Sequence, residues 1–409
     1  MLNNIFAHYK SSFSGLSKNA WILTFAMLIN RTGTMVIFFL MLYLTKDLNY
    51  ALEDAGLVIS FYGMGAMVGA FAGGWFSDKF GTKFVQLFSL FVGGLGYIVL
   101  SYVEGKVYLS ISLFFLAIIA ESFRPAVMTA IALSCKPENR ARGFALIRLA
   151  INLGVSIGPA VGGFLALYDY SYIFWFEGLT CIAASFFLLF FYHEPKLDHH
   201  KEPGKAEIKK ISPFKDVIFI QLLVIMIFTG FVFNQLFNTW PLFIKEFYNF
   251  NEDTIGLLLA FNAFVIVLFE MPLVHKFERL NNIAVIGVGL LLLCFGFGAI
   301  MFYSSITYIV FTILIWTTGE MLAFPFITSF IANRANDQNR GSYMGMFTFS
   351  FSLSFVIGPL LGSWMYKNLG PEFLWWLIMA IGIVVIPGLF IIDKMIKKEN
   401  FEKIETMAD

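Results

Sequence analysis

Gly154-Val155-Ser156-Ile157-Gly158-Pro159-Ala160-Val161-Gly162-Gly163 lies inside a long apolar run, and Ile357-Gly358-Pro359-Leu360-Leu361-Gly362-Ser363 repeats its second part some 200 residues later. Pro137-Glu138-Asn139-Arg140, followed by Gly143, returns with the same shift as Asp337-Gln338-Asn339-Arg340, followed by Gly341. The proline removes one ladder bond and bends a helix, while glycines one turn apart leave a smooth face for close packing. Written twice, the pattern predicts two similar halves.

The surrounding composition names the solvent. Hydrophobic residues make up 58% of the 409-residue chain and charged residues 13%, more apolar surface than a water-soluble fold can bury. Apolar runs of about 20 residues, enough to cross roughly 30 Å of hydrocarbon, recur between short polar breaks. Twelve are predicted, at 20–45, 52–76, 84–103, 107–135, 143–167, 171–193, 214–245, 254–275, 282–304, 306–332, 342–367 and 372–395. Each reads as a helix, because a bilayer leaves an open strand edge without partners. A closed barrel needs alternating polar residues, and the run Leu290 to Cys294 does not alternate.

The expected fold is therefore all-α and membrane-integral, with six helices in 1–193, six in 214–409, and a Lys-, His- and Pro-rich cytoplasmic linker at 194–213. An even number of crossings puts both termini on one side. With that side cytoplasmic, the outer loops hold only Lys46, Lys106, Lys245 and Lys367, and nearly all other basic residues fall inside. His199-His200 lacks partners at metal-ligand spacing, and Cys135, Cys181 and Cys294 sit in or at the ends of spans, so neither a metal site nor a disulfide framework is expected. No cofactor is called for. The net charge of +1 gives no sign of a nucleic-acid partner, and no cleavable signal peptide is expected before the first span.

Gly74-Trp75-Phe76-Ser77-Asp78-Lys79-Phe80-Gly81-Thr82-Lys83 joins the second and third spans on the cytoplasmic side. Gly73 and Gly74 suit a close helix approach, Asp78 can accept from backbone amides or a basic residue elsewhere, and Gly81 suits the turn. The stretch resembles the Gly-x-x-x-Asp-(Arg/Lys)-x-Gly-(Arg/Lys)-(Arg/Lys) loop of the major facilitator superfamily, departing only at Thr82. The second-half counterpart, around Met271 to Arg279, lacks the Gly and Asp. Gly154 to Gly163 is similar to the Gly-x-x-x-Gly-Pro-x-x-Gly-Gly pattern that the superfamily's drug:proton antiporters carry in helix 5. The resemblance runs from about Trp21 to Asp393, and implies that helices 1, 4, 7 and 10 line a central cavity.

Arg31, Glu121, Arg124 and Glu320 stand near the middle of their spans, where an ionisable group costs a few kcal/mol unless it meets water or a partner. Glu121 and Arg124, three residues apart, can share a helix face and pair. Two carboxylates against two guanidinium groups leave no net charge, so protonating one glutamate changes the site by a full unit. Glu121, Arg124 and Glu320 are the proton-coupling candidates. Arg124 resembles in helix and role the arginine that drug:proton antiporters carry there. Asn30-Arg31-Thr32-Gly33 stands where several antiporters have an acid. It also resembles in part the helix 1 motif of proton-coupled peptide transporters, without its glutamates. Arg31, the seventh-span amides Asn234, Gln235 and Asn238, and the adjacent Trp240 are the expected substrate contacts. Gly74, Asp78, Lys79, Gly81, Gly154, Gly158, Pro159, Gly162 and Gly163 are the expected conformational switch. Glu177 and Glu270, toward the outer and inner faces, read as structural, reaching the interface by snorkelling.

These features imply a proton-coupled secondary transporter working by alternating access, exporting amphipathic or drug-like molecules, and expected as a monomer in a bacterial inner membrane. Uptake of peptides, sugars or other nutrients is the alternative within the class, and a non-transporting receptor the alternative outside it. An enzyme is not expected. His-Glu-x-x-His and paired intramembrane aspartates are missing, Gly154-Val155-Ser156-Ile157-Gly158 lies within a helix instead of a strand-to-helix elbow, and no phosphate-binding Gly-x-x-x-x-Gly-Lys-(Ser/Thr) loop occurs.

Overall fold

A computed structural model describes residues 16–135, 140–194, 213–277, 280–334 and 340–408. Among them are twelve helical spans long and apolar enough to cross a membrane: Lys18–Asp47, Leu52–Ser77, Thr82–Leu100, Lys106–Ser134, Gly143–Ala166, Ser171–Phe191, Val217–Phe237, Glu252–Val274, Asn282–Phe302, Ile306–Ile331, Gly345–Asn368 and Pro371–Glu399. No strand occurs among the described residues. Most of the expected linker, 195–212, and the Pro137–Asn139 and Asp337–Asn339 parts of the repeat lie outside the described residues, as does the side chain of Asp78.

The chain divides into two compact units, Met1–His200 with Phe250–Val267, and Lys201–Asn249 with Leu268–Asp409. Local chemistry fixes the helix ends. Ser17 accepts from the Ala20 amide at 3.1 Å, Asp216 from Phe219 at 3.1 Å and Asn281 from Ile283 at 2.9 Å, each covering an amide that the first turn leaves open. The duplication reaches single residues. Asn49 and Asn249, 200 positions apart, both adopt left-handed φ values, 53° and 54°, after the first-span and seventh-span helices.

Small residues set the packing within each unit. In the first, Gly73 faces the fourth span so closely that an added Cβ would lie 2.6 Å from the Ser122 Cα. Gly74, expected to share that role, has nothing within 4 Å of an added Cβ, because it points away on the same helix. The outward faces are aromatic. Phe76, Phe80, Phe84 and Phe88 form one exposed row across the Gly81 turn, with successive ring centroids 5.8, 6.0 and 6.1 Å apart, as a face turned to lipid tolerates.

The spans are less regular than their hydropathy. The first is α-helical over Lys18–Thr32, opens at Gly33 to Met35, and resumes over Val36–Leu42. The seventh breaks at the corresponding place: its α-helix ends at Asn234, a 3₁₀ turn covers Gln235–Phe237, and a new helix runs over Thr239–Tyr248. The fourth is divided at Ser122, between Lys106–Glu121 and Phe123–Ser134. The fifth runs unbroken through Pro159, over Arg140–Ala166.

Candidate functional site

The break in the first span would leave amides unpaired at membrane depth, where no water can satisfy them. Glu177 of the sixth span does so instead. Its Oε2 accepts from the Met35 amide at 3.0 Å and the Val36 amide at 2.7 Å. Glu177 is only 4% exposed, so the expected snorkelling to the interface does not occur. Its carboxylate is spent on the backbone of another helix. Glu270 is likewise buried. Beside the break, Asn30 Nδ2 donates to Cys181 Sγ at 3.3 Å. The fifth-span glycines close the other side: an added Cβ at Gly154 would lie 2.5 Å from Arg31 Cβ, at Gly158 2.5 Å from the Thr34 carbonyl oxygen, and at Gly162 2.7 Å from Met35 Cβ. Gly163 instead faces Asp253, 3.1 Å from its Cα on the same measure.

Around this break stand three further mid-span charges of the first unit, Glu121, Arg124 and Arg31. Glu121 is half-buried and accepts from the Tyr62 hydroxyl at 3.1 Å. Arg124, an exposed side chain, lies beyond the Ser122 break and feels both Arg31 and Glu121 electrostatically. Arg31 is half-buried, with its Nε lacking a hydrogen-bond partner among the described residues. Two acids, Glu121 and Glu177, thus face two arginines within one unit.

In the second unit the expected substrate amides are engaged elsewhere. Asn234, Gln235, Asn238 and Trp240 are each 1% exposed or less. Asn238 Nδ2 donates to the Asn234 carbonyl at 2.8 Å and to its Oδ1 at 2.7 Å. Gln235 Nε2 donates to the Phe231 carbonyl at 2.9 Å and to Gly358 at 3.4 Å, and Thr239 Oγ1 donates to Gln235 Oε1 at 2.8 Å. These amides replace ladder bonds lost at the seventh-span break, as Glu177 does at the first. Gly358 packs on Asn234, at 2.8 Å from its Cβ for an added methyl, so the helix 11 copy of the glycine pattern serves the copy of the break.

Accessible aromatic surface lies nearby and was not resolved by composition. Phe233 and Phe237 of the seventh span, Phe324 of the tenth, and Phe351 and Phe355 of the eleventh are all half-buried and form one cluster, with ring centroids 5.2 Å apart for Phe233 and Phe324, 5.9 Å for Phe324 and Phe351, and 5.8 Å for Phe237 and Phe355. Glu320 is half-buried one helical turn before Phe324.

At the helix ends of the second unit, Asp216 receives Arg334 Nε on Oδ2 at 2.6 Å, Arg334 Nη2 on Oδ1 at 2.8 Å and the Tyr343 hydroxyl at 2.8 Å. Arg334 also donates to both oxygens of Glu399, at 3.1 and 3.0 Å. Burial pushes the Asp216 carboxyl up, but the Arg334, Phe219 and Tyr343 hydrogen bonds outweigh it and hold Asp216 below the usual carboxylate range. Burial, with Asp216 as acceptor, pushes the Tyr343 hydroxyl up to about 12. In the first unit, Gly81 turns the chain with φ 86°, and Glu194 Oε1 accepts from the Thr82 amide and hydroxyl, both at 2.6 Å. Thr82, the departure from the expected basic residue, thus supplies a second donor to that carboxylate. Lys79 lies over the Trp75 ring, 4.9 Å from its centroid.

Six spans written twice, two of the twelve broken at corresponding positions, and charged groups held at mid-span define a polytopic membrane carrier. The Major Facilitator Superfamily model matches residues 23–349 and 239–406, and the chain belongs to that family, whose members are carriers and not enzymes. It is 24% identical over 360 residues to the quinolone resistance protein NorA of Staphylococcus aureus, covering 86% of this chain and 90% of that one. It is also 24% identical over 341 residues to the multidrug resistance protein MdtH of Proteus mirabilis, covering 82% of each. The uncharacterized MFS-type transporter YqjV of Bacillus subtilis is 25% identical over 398 residues, 93% of this chain and 95% of that one. Among solved structures, a POT family transporter in complex with 5-aminolevulinic acid superposes with a TM-score of 0.78 at 16% identity, covering 93% of this chain and 98% of that one. A D-xylose-proton symporter superposes at 0.75 and 16%, covering 91% and 96%. These structures establish the shared fold.

Proposed function

We propose that this transporter exports aromatic, amphipathic molecules in exchange for protons, from a bacterial inner membrane in which both termini are cytoplasmic. The observation that carries the reading is the half-accessible phenylalanine cluster beside Glu320: aromatic faces bind flat apolar groups, and a carboxylate one turn away suits a cationic substituent. The names of NorA and MdtH, for quinolone and multidrug resistance, support the same substrate class. Arg31, with its unpartnered Nε, is the proposed contact for an anionic group. In this reading the buried amides brace the break in the seventh span instead of contacting substrate.

Glu121 and Glu320 are the proposed proton carriers, with Arg124 setting the charge around Glu121. Alternating access works between six-helix bundles 1–193 and 214–409 of a monomer, through the loop of Asp78, Lys79 and Gly81 and the face of Gly154, Gly158, Pro159 and Gly162 with Gly163. Norfloxacin, a fluorescent quinolone, tests this in liposomes containing the purified protein. Exchange should accumulate it in acid-loaded vesicles beyond protein-free controls, and Phe233→Ala should weaken its binding about tenfold. Glu121→Gln or Glu320→Gln should lower gradient-driven flux at least tenfold, and Glu121→Gln, which removes no proposed drug contact, should spare exchange down the drug's own gradient. Full gradient-driven flux in both glutamine variants would sink the proton assignment, and loss of drug together with protons from the acid lumen would mean uptake.

A further inference from the structure

One face of the sixth span grips residues 30–36 of the first. Glu177, Thr180 and Cys181 are spaced three and four residues apart, so they line the same side of their helix. Cys181 Sγ accepts from Asn30 Nδ2 at 3.3 Å. Gly33 lies so close to Thr180 that an added Cβ would overlap the threonine hydroxyl, which itself donates to the Glu177 carbonyl at 2.9 Å. Glu177 Oε2 completes the grip on the Met35 and Val36 amides, which open the second helical segment of the span and have no turn before them to pair with. Glycines of the fifth span close on the same stretch, Gly154 on Arg31 Cβ and Gly158 on the Thr34 carbonyl.

Inside this grip stands Arg31, in the last turn of the helix Lys18–Thr32. Its Nε has no hydrogen-bond partner among the described residues, so the guanidinium takes its aim from the helix end that carries it. Aim matters, because a guanidinium pairs with a carboxylate through parallel N–H bonds of fixed direction. The duplication supplies an independent observation. The positions 200 residues after Arg31 and Glu177 are Phe231 and Leu377, so the second half lacks the arginine and the carboxylate together. Its own break is braced by Gln235 and Asn238, each donating to a carbonyl of the same span. A break can therefore be kept without a carboxylate from another helix, and the one that has it is the one that carries an arginine.

We propose that Glu177 is a positioning residue: by pinning the break it holds the helix end that aims Arg31, and so gives the carrier its preference for aromatic substrates that also bear an anionic group. Glu177 is buried and touches no substrate; it acts through Arg31. Removing its acceptor oxygens leaves the Met35 and Val36 amides to find partners by moving the backbone, and the guanidinium four residues earlier moves with it. The loss then falls on the carboxylate of a substrate and spares its rings, since the phenylalanine cluster belongs to the second unit. This deepens the assignment of Arg31 as the anionic contact and rests on it.

The test compares binding of norfloxacin, which carries a carboxylate, with binding of its methyl ester, which keeps the rings and lacks that charge, to the purified full-length protein. The parent should favour norfloxacin about fivefold, and Arg31→Ala should remove the preference. Glu177→Ala should weaken norfloxacin about fivefold and leave the ester within about twofold, whereas in an Arg31→Ala background it should change norfloxacin less than about twofold. Glu177→Gln keeps an oxygen that both amides can reach and should stay within about twofold of the parent. Without ligand, amide hydrogen exchange of the peptide spanning Met35 and Val36 should quicken about tenfold in Glu177→Ala and return toward the parent in Glu177→Gln. If alanine yields too little folded protein, Glu177→Asp, with its carboxylate drawn back by one methylene, is read in the same way. Equal loss of both ligands in the variant, or parent-like exchange, overturns the positioning role. So does a preference that Arg31→Ala removes and Glu177→Ala keeps, in which case the anionic contact at Arg31 stands. A preference that survives Arg31→Ala instead sinks that contact, and the role of Glu177 in selectivity with it.

Discussion

Alanine at Gly158 should cut norfloxacin flux at least tenfold, and leucine there should abolish it, while alanine at Gly74 should leave flux near the parent value. The two glycines belong to the two stretches that first identified the chain, yet their surroundings are opposite. An added Cβ at Gly158 would stand 2.5 Å from the Thr34 carbonyl oxygen and 3.3 Å from that of Arg31. Both are backbone atoms at the break in the first span, so relief requires moving a helix end instead of rotating a side chain. Overpacking of this kind costs about 1–3 kcal/mol, and a shift of about 1.4 kcal/mol already changes a two-state ratio tenfold. At Gly74 nothing lies within 4 Å, and alanine gains about 1 kcal/mol in helix propensity. Binding of norfloxacin, measured apart from flux, should stay within a few-fold of the parent for Gly158→Ala, because Arg31 is the one proposed contact beside the shifted backbone and the phenylalanine cluster belongs to the second unit. Parent-like flux in that variant would mean that the first and fifth spans do not pack as tightly as described.

The twelve spans and their duplication were legible because hydropathy and spacing are properties of the chain alone. Asn49 and Asn249, or Gly158 and Gly358, can be paired by counting. What the sequence could not show is which polar side chains serve the backbone. Asn234, Gln235 and Asn238 look like a solute site in a linear reading, since three amides in an apolar span ask for partners. The same span supplies some of those partners, while Asn234 Nδ2 and Asn238 Oδ1 have none among the described residues. In the linear sequence Glu177 reads as an interfacial residue because its distance from the span end allows snorkelling, and no local signal announces that Met35 and Val36, 141 or more positions away, lack helical acceptors. Tyr62, which donates to Glu121, carries no motif at all. The phenylalanine cluster was hidden by abundance: among 50 phenylalanines, composition cannot separate those that meet lipid from those that meet one another.

Replacing Arg334 by alanine should lower the unfolding free energy of the purified protein by about 3 kcal/mol, the low end for breaking a buried pair, seen as a drop of several degrees in melting temperature in detergent. Four helices of the second unit meet at this side chain: Asp216 begins the seventh span, Tyr343 precedes the eleventh, Glu399 closes the twelfth span within a helix that runs on to Ala408, and Arg334 itself ends the helix of the tenth. Asp216 is buried, so it cannot turn to water when the guanidinium goes. Glu399 is 42% exposed and should contribute little by itself. Lysine should rescue only in part, since an ammonium cannot make the two-pronged contact that Nε and Nη2 make with Asp216. The pH dependence fixes the cause. Asp216 is held below its ordinary range when folded, so its contribution is fully present above the unfolded value of about 3.9 and is lost as pH falls through the folded one. The gap between parent and Arg334→Ala should therefore be constant from pH 8 to pH 5 and narrow below about pH 4. A gap that instead closes between pH 8 and pH 5 would show that some other group, and not the Asp216 carboxylate, is what Arg334 holds.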